Sequence, residues 1–446
     1  MTRKSRPTGM LAFTVVWIGQ LVSILGTVMS GFALSIWAWQ TTGEATALAL
    51  VSFFTFAPTV LVSPLAGALV DRWNRKLMMM LSDLAAVLST VVVLLLFLAG
   101  VLQIWHLYAT GAFAGTFYAF QRPAYSAAIT TMMPKKHYGR ASGMLSVARF
   151  APNIFAPVLA ALLLNLIGIA GILTIDVVTF LVAVATLLSV HVPQPPITEE
   201  GRKSKGSLWK ESVYGFGYIR ERRSLLGLTL LVFAANLAIT FGVTVLAPML
   251  LARTGDDTTV YGVVLSAMGL GGLAGGTVMS VWGGPKRRIN GVLVGLTLAM
   301  AGVLVIGLGR DPYVWASGGF LALFFVPIIS GSSEALWQAK VAPDVQGRVF
   351  ASRNLFGQIS APAAMLMAGP LADRVFEPSL MPGGSLASMF GGLVGTGPGA
   401  GMSLMFVFAG VLGMLVGLGG YAFHAVRNVE SILPDFGVEV ALPEED

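Results

Sequence analysis

The sequence predicts an all-α membrane protein with twelve transmembrane helices in two pseudo-symmetric halves of six. Three observations carry this. Hydrophobic residues make up 55% of the chain and charged residues 11%, well below the roughly 25% charge of a soluble domain. Apolar runs long enough to cross a hydrocarbon core, about 20 residues each, recur along the chain. The basic residues gather on alternate loops.

The runs fall in order. The basic start Met1-Thr2-Arg3-Lys4-Ser5-Arg6 precedes a first span over 11–39 with no clear small-residue cleavage site, so it reads as an uncleaved span. Spans over 45–70 and 77–100 flank a short basic turn, and 104–132, 141–166 and 168–191 complete a first half, residues 1–191. The character changes near His191. Pro193-Gln194-Pro195-Pro196 and Gly201-Arg202-Lys203-Ser204-Lys205-Gly206 lead into an amphipathic stretch from Leu208 to Arg223. Trp209, Val213, Phe216 and Ile219 share one helical stripe there, the pattern of an interfacial helix. Residues 192–223 are therefore a cytoplasmic linker. The second half, 224–427, holds spans over 224–252, 258–282, 289–309, 313–340, 350–375 and 400–427, and 428–446 forms an acidic cytoplasmic tail.

Lys and Arg set the orientation. Most lie at the start of the chain, in the turns near Arg72, Lys135, Lys286 and Arg348, and in the linker; Arg353 counts with these loops, and only Arg253, Arg310 and Arg374 fall on the other side. This asymmetry places both termini in the cytoplasm. It also accounts for the net charge of +7 without any nucleic-acid partner. The halves repeat weakly at an offset of 208 residues: Leu65-Ala66-Gly67-Ala68 matches Leu273-Ala274-Gly275-Gly276, and Gly139-Arg140 matches Gly347-Arg348.

The turn Gly67-Ala68-Leu69-Val70-Asp71-Arg72-Trp73-Asn74-Arg75-Lys76 resembles the loop 2–3 signature of the major facilitator superfamily. Trp17-Ile18-Gly19-Gln20-Leu21-Val22-Ser23-Ile24-Leu25-Gly26 and Thr42-Gly43-Glu44-Ala45 are similar to the macrolide-efflux and enterobactin-exporter branch of its drug:proton antiporters. Val341-Ala342-Pro343-Asp344-Val345-Gln346-Gly347-Arg348-Val349 resembles that branch's loop 10–11. The resemblance implies the major facilitator fold, alternating access, and export of amphipathic small molecules, antibiotics or siderophores for example, coupled to proton entry. There are departures. The fifth span reads Ala151-Pro152-Asn153-Ile154-Phe155-Ala156-Pro157 where antiporters carry a glycine-rich motif, and Met279 stands opposite Asp71 in the second copy of the turn.

Candidate residues follow. Gly67, Asp71, Arg72, Arg75 and Lys76, joined by Asp83, form an expected conformational latch, in which Asp71 pairs with a base or a helix N-terminus of the other half. For Arg75 and Lys76, simple topology control explains the charge equally well. Charges inside spans are costly unless paired or wet, so Arg122, Arg149 and Glu334 are candidates for proton coupling, with a static ion pair as the alternative. The resemblance implies that spans 1, 4, 7 and 10 line the cavity. Gln20, Ser23, Asn236, Gln338, Phe117 and Phe120 are then candidate substrate contacts, although each such side chain is more often packing. Asp176 reads as a helix cap near the far surface, Lys340 as a snorkelling base, and Asp373 and Arg374 as rim charges.

Other classes find little support. Cys is absent, the four histidines form no metal pair at helical spacing, and there is neither a Walker A loop nor a nucleophile motif. No enzyme activity, catalytic residue, cofactor or metal is expected. The expected partners are an amphipathic small molecule, protons and the lipid bilayer, and the chain is expected to be a monomeric, multi-pass protein of a bacterial-type inner membrane. An uptake or lipid-translocating transporter of the same fold stays open, as does a receptor or enzyme that has kept the fold.

Overall fold

The computed structural model describes residues 9–434 apart from 73, 133–137, 191–207 and 343–344. The first half is α1 (Gly9–Thr42), α2 (Ala45–Arg72), α3 (Arg75–Leu98), α4 (Ile104–Met132) and α5 (Tyr138–Ser189). The chain in α5 makes two passes, because Gly168 breaks the helix at φ 66° and ψ −174°, a conformation that only glycine adopts cheaply. α6 (Leu208–Glu221) connects the halves. The second half is α7 (Arg223–Thr244), α8 (Leu246–Thr254), α9 (Thr258–Trp282), α10 (Arg288–Leu308), α11 (Pro312–Phe324), α12 (Val326–Lys340) and α13 (Gln346–Leu371), then a π-helical turn (Ala372–Phe376), α14 (Glu377–Leu380), α15 (Ala387–Val394), α16 (Ala400–Ala422), α17 (His424–Arg427) and α18 (Val429–Ile432).

Among the described residues, ten helical segments are long and apolar enough to span a membrane. One of them, Ala151–Ser189, is divided by the Gly168 break. α4 has 29 residues, enough to span, but His106 and Gln121 lower its apolarity. The twelve passes of the predicted fold are therefore all helical. α7 continues into α8, and α11 into α12, through single-residue breaks at Val245 and Phe325.

Small residues bring the helices together, as packing in lipid requires. Gly111 and Gly115 of α4 lie against Thr55 of α2, while Gly271 and Gly275 of α9 lie against the Phe320 and Phe324 carbonyls of α11. The same pair of passes in each half thus uses glycine to close its contact. Gly275→Leu is expected to push α9 from α11, an overpacking cost of about 1–3 kcal/mol, and to lower the melting temperature of the purified protein. An unchanged melting curve would contradict this packing.

The two halves touch mainly along α2 against α13 and α5 against α9. The starts of α3 and α10, where Lys76 meets Val190 O and Arg288 N meets Glu430, mark one end of the bundle, the basic end. At the opposite, far end the halves are bonded to each other. Asp373, in the π-helical turn after α13, accepts from Ala45 N (2.9 Å), Thr46 N (2.8 Å) and Thr46 Oγ1 (2.5 Å), and so caps the first turn of α2. Trp39 Nε1 donates to Asp256 (2.9 Å), and the Phe32 and Tyr261 rings stack at 4.9 Å. Deeper in, Ser266 Oγ donates to the Ile154 carbonyl at 2.6 Å.

Some sequence expectations need correction. Asp373 is an inter-half cap rather than a rim charge. The first part of the tail is docked: Glu430 accepts from Arg288 N (2.9 Å) and Ile289 N (3.2 Å) at the start of α10. Lys340 does not snorkel. It is 9% exposed and donates to the carbonyls of Glu430 (2.8 Å) and Leu433 (2.5 Å). α6 does more than lie on a membrane surface, since Phe216 meets Phe356 of α13 and Ile219 is buried in the core.

Candidate functional site

The second half holds a cavity of about 540 Å³ between α7, α10, α12 and α13. Leu231, Ala235, Ile239, Val292 and Ile329 make most of its wall apolar. Its polar groups are few. Glu334 of α12 pairs with Arg353 of α13 at 3.1 Å, with side chains 46% and 16% exposed. Gln338 Nε2 reaches the other Glu334 oxygen at 3.4 Å. The Arg353 guanidinium also lies 5.2 Å from the Trp337 ring centroid, a contact that helps hold a cation in apolar surroundings. Asn236, Asn354 and Gln358 supply amides, and Asn236 donates to the Gly357 carbonyl at 3.3 Å. A second space of about 400 Å³ lies between the halves, bounded by α1, α2, α7, α9 and α13. Ile239 belongs to both walls, so the two spaces adjoin.

The first half holds a polar cluster. Asp83 of α3 is fully buried. It accepts from Gln20 Nε2 of α1 at 2.9 Å and from Gln121 Nε2 of α4 at 2.7 Å, and Gln121 also reaches Gln20 at 3.3 Å. These bonds satisfy a buried carboxylate and tie three helices together.

The predicted residues therefore sort unevenly. Asn236 and Glu334 line the cavity, and Gln338 stands exposed beside Glu334. Gln20 is buried and bound to Asp83, and Ser23, 3% exposed, is packed. Phe120 packs with the cluster around Phe13 and Met79, while Phe117 lies beside Phe113 at 5.1 Å. Asp83 belongs to the buried cluster, away from the loop. Lys76 Nζ donates to Val190 O (2.7 Å) and Leu188 O (3.4 Å), joining α3 to the end of α5 within one half. The side chains of Gly67, Asp71, Arg72, Arg75, Arg122 and Arg149 lie outside the described residues.

Sequence reasoning missed Arg353 as a partner, counting it with the loops. It lies seven residues into α13, about 10 Å along the axis, and within the predicted span 350–375. The rule that singled out Arg122 applied to it equally. Gln121 was passed over beside Arg122.

Two halves of six passes, joined face to face with a space between them, suit a family known from its sequence profile. The Major Facilitator Superfamily profile covers residues 16–365. The chain belongs to that superfamily. Within the superfamily it is similar to macrolide efflux protein A of Streptococcus pyogenes, 25% identical over 373 residues, which is 82% of this chain and 90% of that protein. It is also similar to a multidrug resistance efflux pump PmrA homologue of Lactococcus lactis, 25% identical over 336 residues, 73% of this chain and 78% of that one. Among solved structures, a bacterial homologue of the human lysosomal transporter Spinster, inward-facing and unoccupied, shares the major facilitator fold at a TM-score of 0.70 and 15% identity, with 94% of this chain and 98% of that one covered. The chain is thus a multi-pass membrane transporter of the superfamily.

Proposed function

We propose that this protein expels amphipathic small molecules, of antibiotic, drug or siderophore type, by alternating access coupled to proton entry. The observation that carries this reading is the cavity: a broad apolar wall with one ion pair and a few amides. Such a wall accepts apolar bodies of varied shape, while few polar groups orient them. The sequence likeness to efflux proteins supports the direction. The far-end bonds between the halves support a state open toward the basic end, ready to load from the cytoplasm.

In this reading Glu334 and Arg353 form the responsive pair. Protonation of Glu334 removes its charge and frees Arg353, which changes the cavity as the halves rock. At the basic end, Asp71 with Gly67, Arg72 and Arg75 serves as the latch of the alternate state. Expression in a pump-deficient bacterium tests the function. The protein should raise tolerance to at least one macrolide or other amphipathic compound and lower its cellular accumulation in a gradient-dependent way. Unchanged accumulation across a broad compound panel would reject the reading.

Orientation has its own test. Because the chain lacks cysteine, a single Ser204→Cys probe is clean. It should resist membrane-impermeant thiol reagents in intact cells and react after permeabilisation. Labelling from outside would reverse the topology.

A further inference from the structure

The first half holds a carboxylate that the cavity does not use. Asp176 lies in the second pass of α5, eight residues beyond the Gly168 break, and is 1% exposed. It does not cap a helix near the surface, as its position in the sequence suggested. Hydroxyls surround it instead. Thr27 Oγ1 of α1 reaches Oδ1 at 3.2 Å, and Thr90 Oγ1 of α3 reaches Oδ2 at 3.0 Å. Ser30 of α1, 4% exposed, stands beside the carboxylate with a hydroxyl that makes no bond of hydrogen-bonding geometry. Gly26 permits this closeness, since a Cβ there would lie 3.1 Å from Asp176 Oδ1.

Among the described residues, no cation on the surrounding helices is paired with this charge. α1 carries no charged residue from Gly9 to Thr42. On α3 the charged residues are Arg75, Lys76 and Asp83. Lys76 is 14 residues from Thr90, about 21 Å along the axis, and is bonded to Val190 O. Asp83 is itself an acid, about 10 Å from Thr90. On α5, Arg140 and Arg149 belong to the first pass, toward its start, and Asp176 is the one charged residue from Ala151 to Ser189. A carboxylate held there by two hydroxyl bonds alone keeps a buried charge with no counter-charge, which is costly in an apolar span.

Proton counting shows what the cage can hold. Each threonine hydroxyl has one proton and a second acceptor in reach: Ser23 O at 3.1 Å for Thr27, and Ala86 O at 3.3 Å for Thr90. When the hydroxyl protons turn to those helix carbonyls, their lone pairs face Asp176. The carboxylate and hydroxyl oxygens then surround one positive charge with hard donors. A divalent ion would leave a net charge buried.

We infer that Asp176, Thr27, Ser30 and Thr90 bind one monovalent cation, a proton or a sodium ion. This rests on the coupled-transport reading and adds a second cation site to the cavity pair. The cage joins α1 to α3 and α5, and α1 carries Phe32 and Trp39 of the far-end contacts. Occupancy of the cage therefore sets how firmly α1 is held. Thr27 is the exposed member of the cage.

The test uses the purified full-length protein, the Asp176→Asn variant and the Thr90→Val variant. One arm measures binding of radioactive sodium at alkaline pH. The other counts protons released on a pH jump with an indicator dye, and follows the infrared carbonyl band of a protonated carboxyl. A sodium site gives saturable binding of one ion per protein, lost in Asp176→Asn and weakened about tenfold in Thr90→Val, the loss of one ligand worth about 1.4 kcal/mol. A proton site gives no sodium binding, but one released proton and one carbonyl band that vanish in Asp176→Asn. Thr90→Val then changes the pH at which the proton leaves. If Asp176→Asn does not fold, the Thr90→Val shift decides alone. Wild-type and variant proteins that bind no sodium and release equal numbers of protons would overturn the inference. Neither arm needs a transported compound, so that failure leaves the efflux reading standing. Cation binding without compound expulsion would sink the efflux reading alone.

Discussion

Replacing Glu334 by glutamine is expected to abolish gradient-driven expulsion while leaving compound binding intact. Glutamine keeps the shape of the protonated acid and removes the charge that pairs with Arg353 at 3.1 Å. With Glu334 nearly half exposed, the pair itself is worth only about 1 kcal/mol or less. The effect comes from losing the carboxyl, so accumulation should return to the level of cells without the protein. Arg353→Ala should also impair transport, by leaving Glu334 without its cation. Passive counterflow of a labelled compound in proteoliposomes separates the two effects, because Glu334→Gln should retain it. If Glu334→Gln pumps normally across a range of external pH, Glu334 is not the coupling acid, and Asp176 takes its place as the leading one.

Removing the far-end cap should shift the conformational balance. Asp373→Ala deletes three bonds to the first turn of α2. Losing an N-cap costs about 1 kcal/mol, which moves a two-state population roughly fivefold. A Ser52→Cys probe in the space between the halves reads this directly. Its reaction with a thiol reagent applied from the far side should quicken by about that factor. Asp373→Asn keeps one cap oxygen and should fall between the two. Equal rates in all three proteins would mean that the cap does not hold the halves.

The architecture was legible because lipid imposes it. Apolar runs, alternate basic loops and a repeat offset are long-range signals that one sequence carries in full. The boundary between spans five and six fell within a residue of the break at Gly168. The site was legible only in part. Glu334 stood out as an acid within a span, and Asn236 as an amide in one. Their setting depends on rotation about the helix axis, which hydropathy cannot fix when every face is apolar. Gln20 and Ser23 lie on the first span as the sequence predicts, but Gln20 turns toward Asp83 and Ser23 into the packing. Asp373 and Lys340 were misread for a related reason. At a span end, a charge that points to solvent and one that caps a distant helix look identical in sequence.

The clamp at the basic end bears on how the protein is made. The start of α10 is satisfied by Glu430, which lies 142 residues further along the chain than Arg288. At synthesis rates of 5–20 residues per second, those amides wait on the order of 10 s for their partner. During that time the Lys340 ammonium also lacks its two carbonyl acceptors. A chain cut before Glu430 would keep every span and leave the first amides of α10 to water.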